Sequence, residues 1–377
     1  MKSQSSLVHP DIATIKRVLI GIFIVIVAQV LFVAQDVVMP MVLGVLIALT
    51  LRPVVRFAEK RGIPPGISAV LMIVFLAGGV GFGAYSLSGP ITDLISSAPE
   101  TGIKIRAKFA EYRDEIEAVK EASEQVETLA QGTDTTATQK VVVKEPALLA
   151  AAASNAFTGL ITFVVALVLA LFLLSTGTLF YEKVVGIMPL MSEKKRALRV
   201  IYDVERQVSR YLFTITLINA GLGAVIGTSL WLYGMPNPIM WGCIAAVLNF
   251  LPFIGAWVGT AAVAATAMVV YPTLGTALIA PAIYFGFTTV EGNFLTPMII
   301  GRRLELNIVA VFLTVIVWGW LWGLVGALMA VPILVGIKVL CDNFESMKGF
   351  GQFLSGRPAL EDPEDAEDGS VGRPANI

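Results

Sequence analysis

Residues 211–290 read YLFTITLINAGLGAVIGTSLWLYGMPNPIMWGCIAAVLNFLPFIGAWVGTAAVAATAMVVYPTLGTALIAPAIYFGFTTV and contain no Asp, Glu, Lys, Arg or His. Residues 306–337 form a second uncharged stretch. Because a membrane-spanning helix needs about 20 apolar residues, the first stretch alone can supply three or four passes. The sequence therefore predicts an all-α fold, a polytopic transmembrane helical protein.

The composition of the whole chain excludes several classes of protein. Of its 377 residues 56% are hydrophobic and only 15% are charged, whereas about a quarter of a soluble domain is charged. The formal net charge of −1 offers no basic surplus for nucleic acid, so none is expected as a partner. The two cysteines, Cys243 and Cys341, match no metal-ligand spacing and no disulfide framework.

No set of residues in the sequence suggests catalysis. The only histidine, His9, lies in the polar N-terminal tail, and no phosphate-binding loop of the G-x-x-x-x-G-K-[ST] type is present. We therefore predict no catalytic residue, no metal and no cofactor, and we do not expect an enzyme.

The N-terminal part is predicted to be a cytoplasmic tail, residues 1–16, followed by three membrane helices within 17–89. The first apolar stretch, 18–34, could imitate a signal peptide, but it lacks a small-residue cleavage pattern and is better explained as a retained helix. A basic loop at 52–61 follows the second apolar stretch.

Residues 90–150 differ sharply in composition and are predicted to be an extracytoplasmic amphipathic helical insertion. Apolar residues such as Ile105, Phe109 and Tyr112 recur at spacings of three and four, as on one face of a helix. Ser97 and Glu100 resemble a capping box, which predicts a helix start there. A solvated helix that packs on the membrane domain is expected, and a dedicated binding domain is the alternative.

The C-terminal part is predicted to contain the membrane core. Membrane helix 4 is expected within 151–181, a cytoplasmic amphipathic stretch at 182–210, and the C-terminal membrane core at 211–345. Pro252 and the glycines after it predict broken or re-entrant helices in this core, and 306–340 is too long for one straight span, so it is a tilted helix or a hairpin. Residues 346–377 are expected to be a disordered cytoplasmic tail.

About eight membrane segments follow from this division, with both termini cytoplasmic. Lys and Arg are concentrated in the N-terminal tail, in the 52–61 loop and in 182–210, and basic loops remain on the cytoplasmic side. A re-entrant piece between 239 and 270 would also leave Arg302 and Arg303 on that side.

Glu291 is the first candidate for a transport site. It follows 80 uncharged residues and precedes Asn293 and Pro297, so a carboxylate could bind a proton or a cation where the backbone is unwound. The alternative is a Glu at the membrane surface that pairs with Arg302 or Arg303.

Two further polar side chains, Asn219 and Asn249, also fall within the uncharged region. Both could hydrogen-bond a polar substrate, although holding neighbouring helices together is the commoner role of such side chains. Pro252 joins these candidates because it breaks the helix beside Asn249, and Arg302 because it follows the Glu291 region.

Several motifs resemble those of one bacterial family. Residues 248–255, LNFLPFIG, are similar to a signature of the autoinducer-2 exporter family, and so are 291–302, EGNFLTPMIIGR, 318–323, WGWLWG, and 330–332, AVP. The chain departs from the family at Ala256 and Ile308, where relatives often carry proline. The similarity covers roughly 15–350.

This resemblance implies a permease that exports a small solute, such as a signalling molecule, across the bacterial inner membrane. It also implies the alternative of a sodium or lithium/proton antiporter, because some relatives are reported as such. A non-transporting membrane scaffold is a second alternative. The expected partners are membrane lipid and a small solute or ion, and the family is compatible with a homo-oligomer.

Overall fold

The computed structural model describes residues 10–124, 145–177, 191–300, 306–344 and 347–356. In these ranges the regular elements are helices, and the only extended pairing is an isolated bridge between Leu306 and Ser355. Helices satisfy their own backbone polar groups, which the hydrocarbon of a bilayer requires. Seven of the described helices are long and apolar enough to cross a membrane. The predicted polytopic helical fold is therefore confirmed.

In chain order the described helices are α1 (Pro10–Val33), α2 (Gln35–Glu59), α3 (Pro65–Glu124), α4 (Glu145–Thr176), α5 (Met191–Leu232), α6 (Pro238–Leu248), α7 (Ile254–Val270), α8 (Leu274–Val290), a π-helical turn (Glu291–Leu295), α9 (Thr296–Ile300), α10 (Ile308–Asn343) and α11 (Lys348–Leu354).

Helices α2 to α5 form one bundle with two distinct ends. Arg52 of α2 donates to the Leu173 carbonyl near the end of α4, so these two helices end together. Ser209 of α5 donates to the Leu49 carbonyl, so the early part of α5 lies against the late part of α2. We call the end with Arg52 and the α2–α3 turn the basic end, and the opposite end, where α3 continues to Glu124, the insertion end.

Helix α3 differs from the prediction for the start of the insertion. It is continuous from Pro65 to Glu124, so Ser97 and Glu100 lie inside a helix and do not cap a new one. Extending an existing helix costs less than nucleating another one, which explains why the membrane helix continues outward. Residues 125–144 lie outside the described part, and α4 begins at Glu145.

Helices α6 and α7 form a hairpin that enters and leaves at the insertion end. Tyr271, directly after α7, packs against Tyr233, directly after α5, with ring centroids 4.9 Å apart and the ring planes tilted by 44°. Lys108 of α3 donates to the carbonyls of Met268 and Tyr271. With 11 residues, α6 is about 16 Å long, too short to cross the hydrocarbon. Of the broken or re-entrant helices predicted for this region, the structure therefore has a re-entrant pair.

Helix α10 is also a hairpin. Trp322 and Gly323 have non-helical backbone angles, and the φ of +63° at Gly323 is one that glycine adopts without strain. A Cβ on Gly326 would lie 2.1 Å from the Trp318 carbonyl oxygen, although residues eight apart in a straight helix are separated by about 12 Å. The arms 308–321 and 324–343 therefore run antiparallel.

The α10 hairpin opens toward the basic end. The backbone N–H of Asn307 donates to the Leu354 carbonyl at 2.9 Å, so the chain before the first arm meets the chain after the second. The segment Lys348–Leu354 is therefore an ordered helix that packs on the core, although it falls within the predicted disordered tail. Leu306 borders the same cavity as Tyr211 of α5, which lies one residue after Arg210. The two hairpins thus open at opposite ends of the core.

Candidate functional site

Four polar side chains meet where the α6–α7 hairpin contacts α5 and the π-helical turn. The Asn249 amide donates from Nδ2 to the Asn219 Oδ1 at 2.9 Å and to the Glu291 Oε2 at 3.1 Å. The Thr296 hydroxyl donates to the Glu291 Oε1. We call Asn219, Asn249, Glu291 and Thr296 the polar cluster. Glu291 is 6% exposed and Asn219 is 1% exposed.

The polar cluster lies far from both ends of the apolar core. Asn219 is nine residues after Arg210, the last charge before the uncharged stretch, and thirteen residues before the end of α5 at Leu232. At 1.5 Å per residue these distances are about 14 and 20 Å along the helix. A carboxylate at that depth is far more costly than one at the membrane surface.

The hairpin tip brings Asn249 to this position. Residues 249–253 separate α6 from α7, and Phe253 has a φ of +62°, which is uncommon for a residue with a side chain. Gly255 lies so close to the tip that a Cβ there would be 1.9 Å from the Leu248 carbonyl oxygen. Leu251 is buried in the core cluster that also contains Tyr211 and Val311. The tip is therefore a packed structure between helices, with Asn249 directed at α5 and the π-helical turn.

The π-helical turn brings Thr296 to Glu291. The backbone N–H of Thr296 donates to the Glu291 carbonyl, five residues back. Pro297 has no N–H to offer the Asn293 carbonyl, so the ordinary helical bond is missing at this point. In an α-helix, residues five apart point about 140° away from each other, whereas the wider π turn aligns them. Such turns are frequent at functional sites.

One prediction about this segment is wrong in detail. We expected unwound backbone near Glu291 and Pro297, but the chain remains helical, as a π turn followed by α9. The broken backbone is instead at Pro252, where the predicted break is present. The freed carbonyl is accommodated by widening one turn, which costs less in hydrocarbon than opening the helix.

The structure separates the candidate residues into two groups. It brings Glu291, Asn219 and Asn249 together, and it places Pro252 and Pro297 at a cavity beside them. Asn293 is exposed on another face, where its amide donates to the Thr289 carbonyl at 2.9 Å.

Arg302, with Arg303, lies outside the described residues, so the alternative ion pair with Glu291 is not described. Among the described residues, no cationic side chain forms an ion pair with the Glu291 carboxylate. Within the described part, hydrogen bonds from the Asn249 amide and the Thr296 hydroxyl therefore compensate for the burial of the Glu291 carboxylate.

Thr296 is the member of the polar cluster that sequence analysis missed. Its spacing of five from Glu291 matches no α-helical face, so it gave no signal. Recognising that Pro297 forces a wider turn would have been the one route to it.

Two cavities border the polar cluster. One of about 300 Å³ is lined by Thr296, Pro297, Pro252 and Tyr211, among others. The second, of about 570 Å³, is mainly apolar and has Glu291 in its wall. The Asn219 Nδ2 is buried and has no hydrogen-bond partner in the described part of the chain. Thr296 and Glu291 thus border open volume, and the spare amide donor of Asn219 is buried behind them.

Comparison with known proteins places this architecture in a family. Residues 20–346 match the model of the AI-2E family transporters. The chain is 28% identical to the AI-2 transport protein TqsA of Escherichia coli (strain K12), over 90% of this chain and 94% of that protein. It is 24% identical to YrrI of Bacillus subtilis (strain 168), over 84% of this chain and 89% of that protein.

A third relative, YhhT of Escherichia coli (strain K12), is 25% identical over 86% of this chain and 90% of that protein. The names of YrrI and YhhT assign them to transport without naming a substrate. Because the family model matches most of the chain, and the helices form the predicted polytopic fold, the protein is a multi-pass membrane transporter of the AI-2E family.

Proposed function

We propose that this protein is a secondary transporter that moves a small polar solute across the bacterial inner membrane and uses Glu291 as its coupling group. The observation that supports this most strongly is the buried Glu291 carboxylate, held by Asn249 and Thr296 near the middle of the apolar core. A buried carboxylate at this depth requires compensation by hydrogen bonds, a proton or a cation. Exchange among these three is the chemistry of a coupled transporter.

The cluster offers groups that suit a solute with hydroxyls. Glu291 accepts hydrogen bonds, and the Asn219 Nδ2 is a donor without a partner in the described part. A hydroxylated solute both donates and accepts, so it can replace the bonds that Asn249 and Thr296 now make. The name of the relative TqsA makes autoinducer-2 the first solute to test, and the resemblance to exporters suggests outward transport.

The orientation proposed is the one with the basic end in the cytoplasm. Arg52, Arg56 and Lys60 are concentrated at that end, and short basic loops remain on the cytoplasmic side. In this orientation the α6–α7 hairpin enters from outside and the α10 hairpin from inside. The polar cluster then lies between the tip of the first hairpin and the path toward the cytoplasm.

The test is transport by the purified full-length chain in proteoliposomes with an imposed proton gradient. Glu291→Gln keeps the shape of the side chain but removes its exchangeable charge, so gradient-driven accumulation of solute should fall at least about tenfold, which corresponds to about 1.4 kcal/mol. The pH dependence of this accumulation should disappear as well. Asp36→Asn is the matched control, because Asp36 is an exposed carboxylate at the start of α2.

A second pair of variants separates the cluster from its surroundings. Asn249→Ala removes the amide that bridges Asn219 and Glu291, whereas Asn293→Ala removes an amide that bonds only its own helix. Transport should fall in the first variant and remain near wild type in the second. Unchanged transport in both Glu291→Gln and Asn249→Ala would show that the solute takes another route.

A sodium or lithium/proton antiporter is the alternative function. The Glu291 carboxylate, the Asn219 Oδ1 and the Thr296 hydroxyl lie close together, and such oxygens suit a small hard cation. A pH-sensitive dye inside the vesicles distinguishes the two functions. If sodium or lithium alone collapses the proton gradient without any organic solute, the chain is an antiporter.

A further inference from the structure

The surface between α2 and α5 at the basic end forms a cleft of about 410 Å³. Four cationic side chains and no carboxylate line it, together with two phenylalanines, a proline and a serine: Arg56, Lys60, Arg206, Arg210, Phe57, Phe213, Pro53 and Ser209. We call this the basic cleft. It is separate from the polar cluster, which shares none of these residues.

Most of the positive charge in the basic cleft is not neutralised by the described residues. Glu205 lies behind it and binds both Arg52 and Arg56 through one oxygen, at 3.0 and 2.7 Å, so one carboxylate serves two guanidinium groups. Arg206 and Arg210 are exposed, and within the described ranges neither forms an ion pair. Asp203 and Glu59 are near in sequence but do not line the cleft.

The position of the basic cleft relative to the membrane decides what kind of anion suits it. Arg206 and Arg210 are one turn apart on α5, and the uncharged stretch begins directly after Arg210. Phe57, which is 56% exposed, and Phe213 give the cleft an apolar rim. A ligand with a phosphate and attached acyl chains matches both parts, because the phosphate meets the cations while the chains follow the apolar helix faces.

We propose that the basic cleft binds the phosphodiester headgroup of an anionic phospholipid from the leaflet at the basic end. Basic pockets between transmembrane helices are suited to such headgroups, and one guanidinium group can donate two parallel hydrogen bonds to phosphate oxygens. The lipid would bridge α2 and α5, next to the buried contacts among Arg52, Glu205 and Leu173 that hold this end of the bundle together.

The experiment uses the full chain purified in detergent, with bound lipid counted by native mass spectrometry. Phosphatidylglycerol should be retained in preference to phosphatidylcholine. The double variant Arg206→Gln/Arg210→Gln should bind phosphatidylglycerol about 30-fold more weakly, at about 1 kcal/mol per basic side chain and 1.4 kcal/mol per tenfold. Arg206→Lys/Arg210→Lys retains the charge and should recover most of the binding, which assigns the loss in the Gln variant to the missing charge.

The control is Lys16→Gln/Arg17→Gln, which removes the same charge from exposed positions on α1. It should leave retention of phosphatidylglycerol near wild type. The proposal is overturned if this control loses as much lipid as the cleft variant, or if both lipids are retained equally. It is also overturned if inorganic phosphate or glycerophosphate at equal concentration displaces the lipid completely, since the cleft would then be a site for soluble anions.

Discussion

The junction of Arg52, Arg56 and Glu205 allows a quantitative test of how the basic end is held together. Both arginines contact the same Glu205 oxygen, but the Arg52 side chain is 9% exposed and the Arg56 side chain is 36% exposed. Arg52 also donates to the Leu173 carbonyl at the end of α4. The two pairs are similar in distance, so burial should decide their energies.

The expected free energies differ severalfold. Arg52→Gln breaks a buried ion pair and Glu205→Gln breaks both pairs, and breaking a buried pair costs about 3–5 kcal/mol. Arg56→Gln breaks a pair that water partly screens, which costs about 0.2–1 kcal/mol. The double variant Arg52→Gln/Glu205→Gln removes both charges and should be less destabilised than the sum of its single variants by about 1–3 kcal/mol.

The assay is reversible unfolding of the detergent-solubilised chain followed by fluorescence of its 6 tryptophans, at low and high salt. The small effect of Arg56→Gln should shrink further at high salt, because exposed charges are screened, whereas the effect of Arg52→Gln should persist. The reasoning is refuted if Arg56→Gln is as destabilising as Arg52→Gln, or if Glu205→Gln lies within about 1 kcal/mol of wild type.

Two further predictions concern the α6–α7 hairpin. Gly259→Ala would place a Cβ 2.0 Å from the Tyr284 hydroxyl oxygen and should destabilise the fold by about 1–3 kcal/mol, whereas Gly286→Ala, which meets nothing within 4 Å, should leave the melting temperature nearly unchanged. Equal melting temperatures would contradict this contact. Lys108→Met removes the donor to the Tyr271 carbonyl, so amide hydrogen exchange in the last turn of α7 should accelerate about fivefold, and unchanged exchange would mean that Lys108 does not hold that turn.

Amino-acid composition predicted the fold because it indicates which solvent the chain requires. Eighty uncharged residues in 211–290 cannot remain in water, and helices are the form in which such a stretch satisfies its backbone in hydrocarbon. Pro252 also predicted where one helix would be interrupted, and the length of 306–340 predicted a tilted helix or a hairpin. The path of the chain after each interruption was open, since a kink and a reversal have the same hydropathy.

Candidate residues of the polar cluster were predictable for the same reason. Glu291, Asn219 and Asn249 are polar groups within apolar stretches. Placing such groups in hydrocarbon costs free energy, so their presence there indicates a specific role. Their mutual contact was not predictable, because Asn249 is 30 residues from Asn219 and 42 residues from Glu291 in the sequence. Asn293 is equally polar and lies two residues after Glu291, but its side chain points away from the polar cluster. Its neighbours in the sequence do not reveal this.

The amino-acid sequence alone determined that this protein is an all-helical membrane protein with a carboxylate within the apolar C-terminal half. Hydrophobicity and charge are properties of the individual residues, so both conclusions can be drawn without knowing the fold. Tertiary structure decided that two hairpins open at opposite ends and that Asn249 and Thr296 converge on Glu291. It also decided that four cations share the basic cleft. These outcomes depend on how a few residues, such as Gly323 and Pro297, redirect the backbone, and short-range packing that joins distant residues leaves no periodic trace in the sequence.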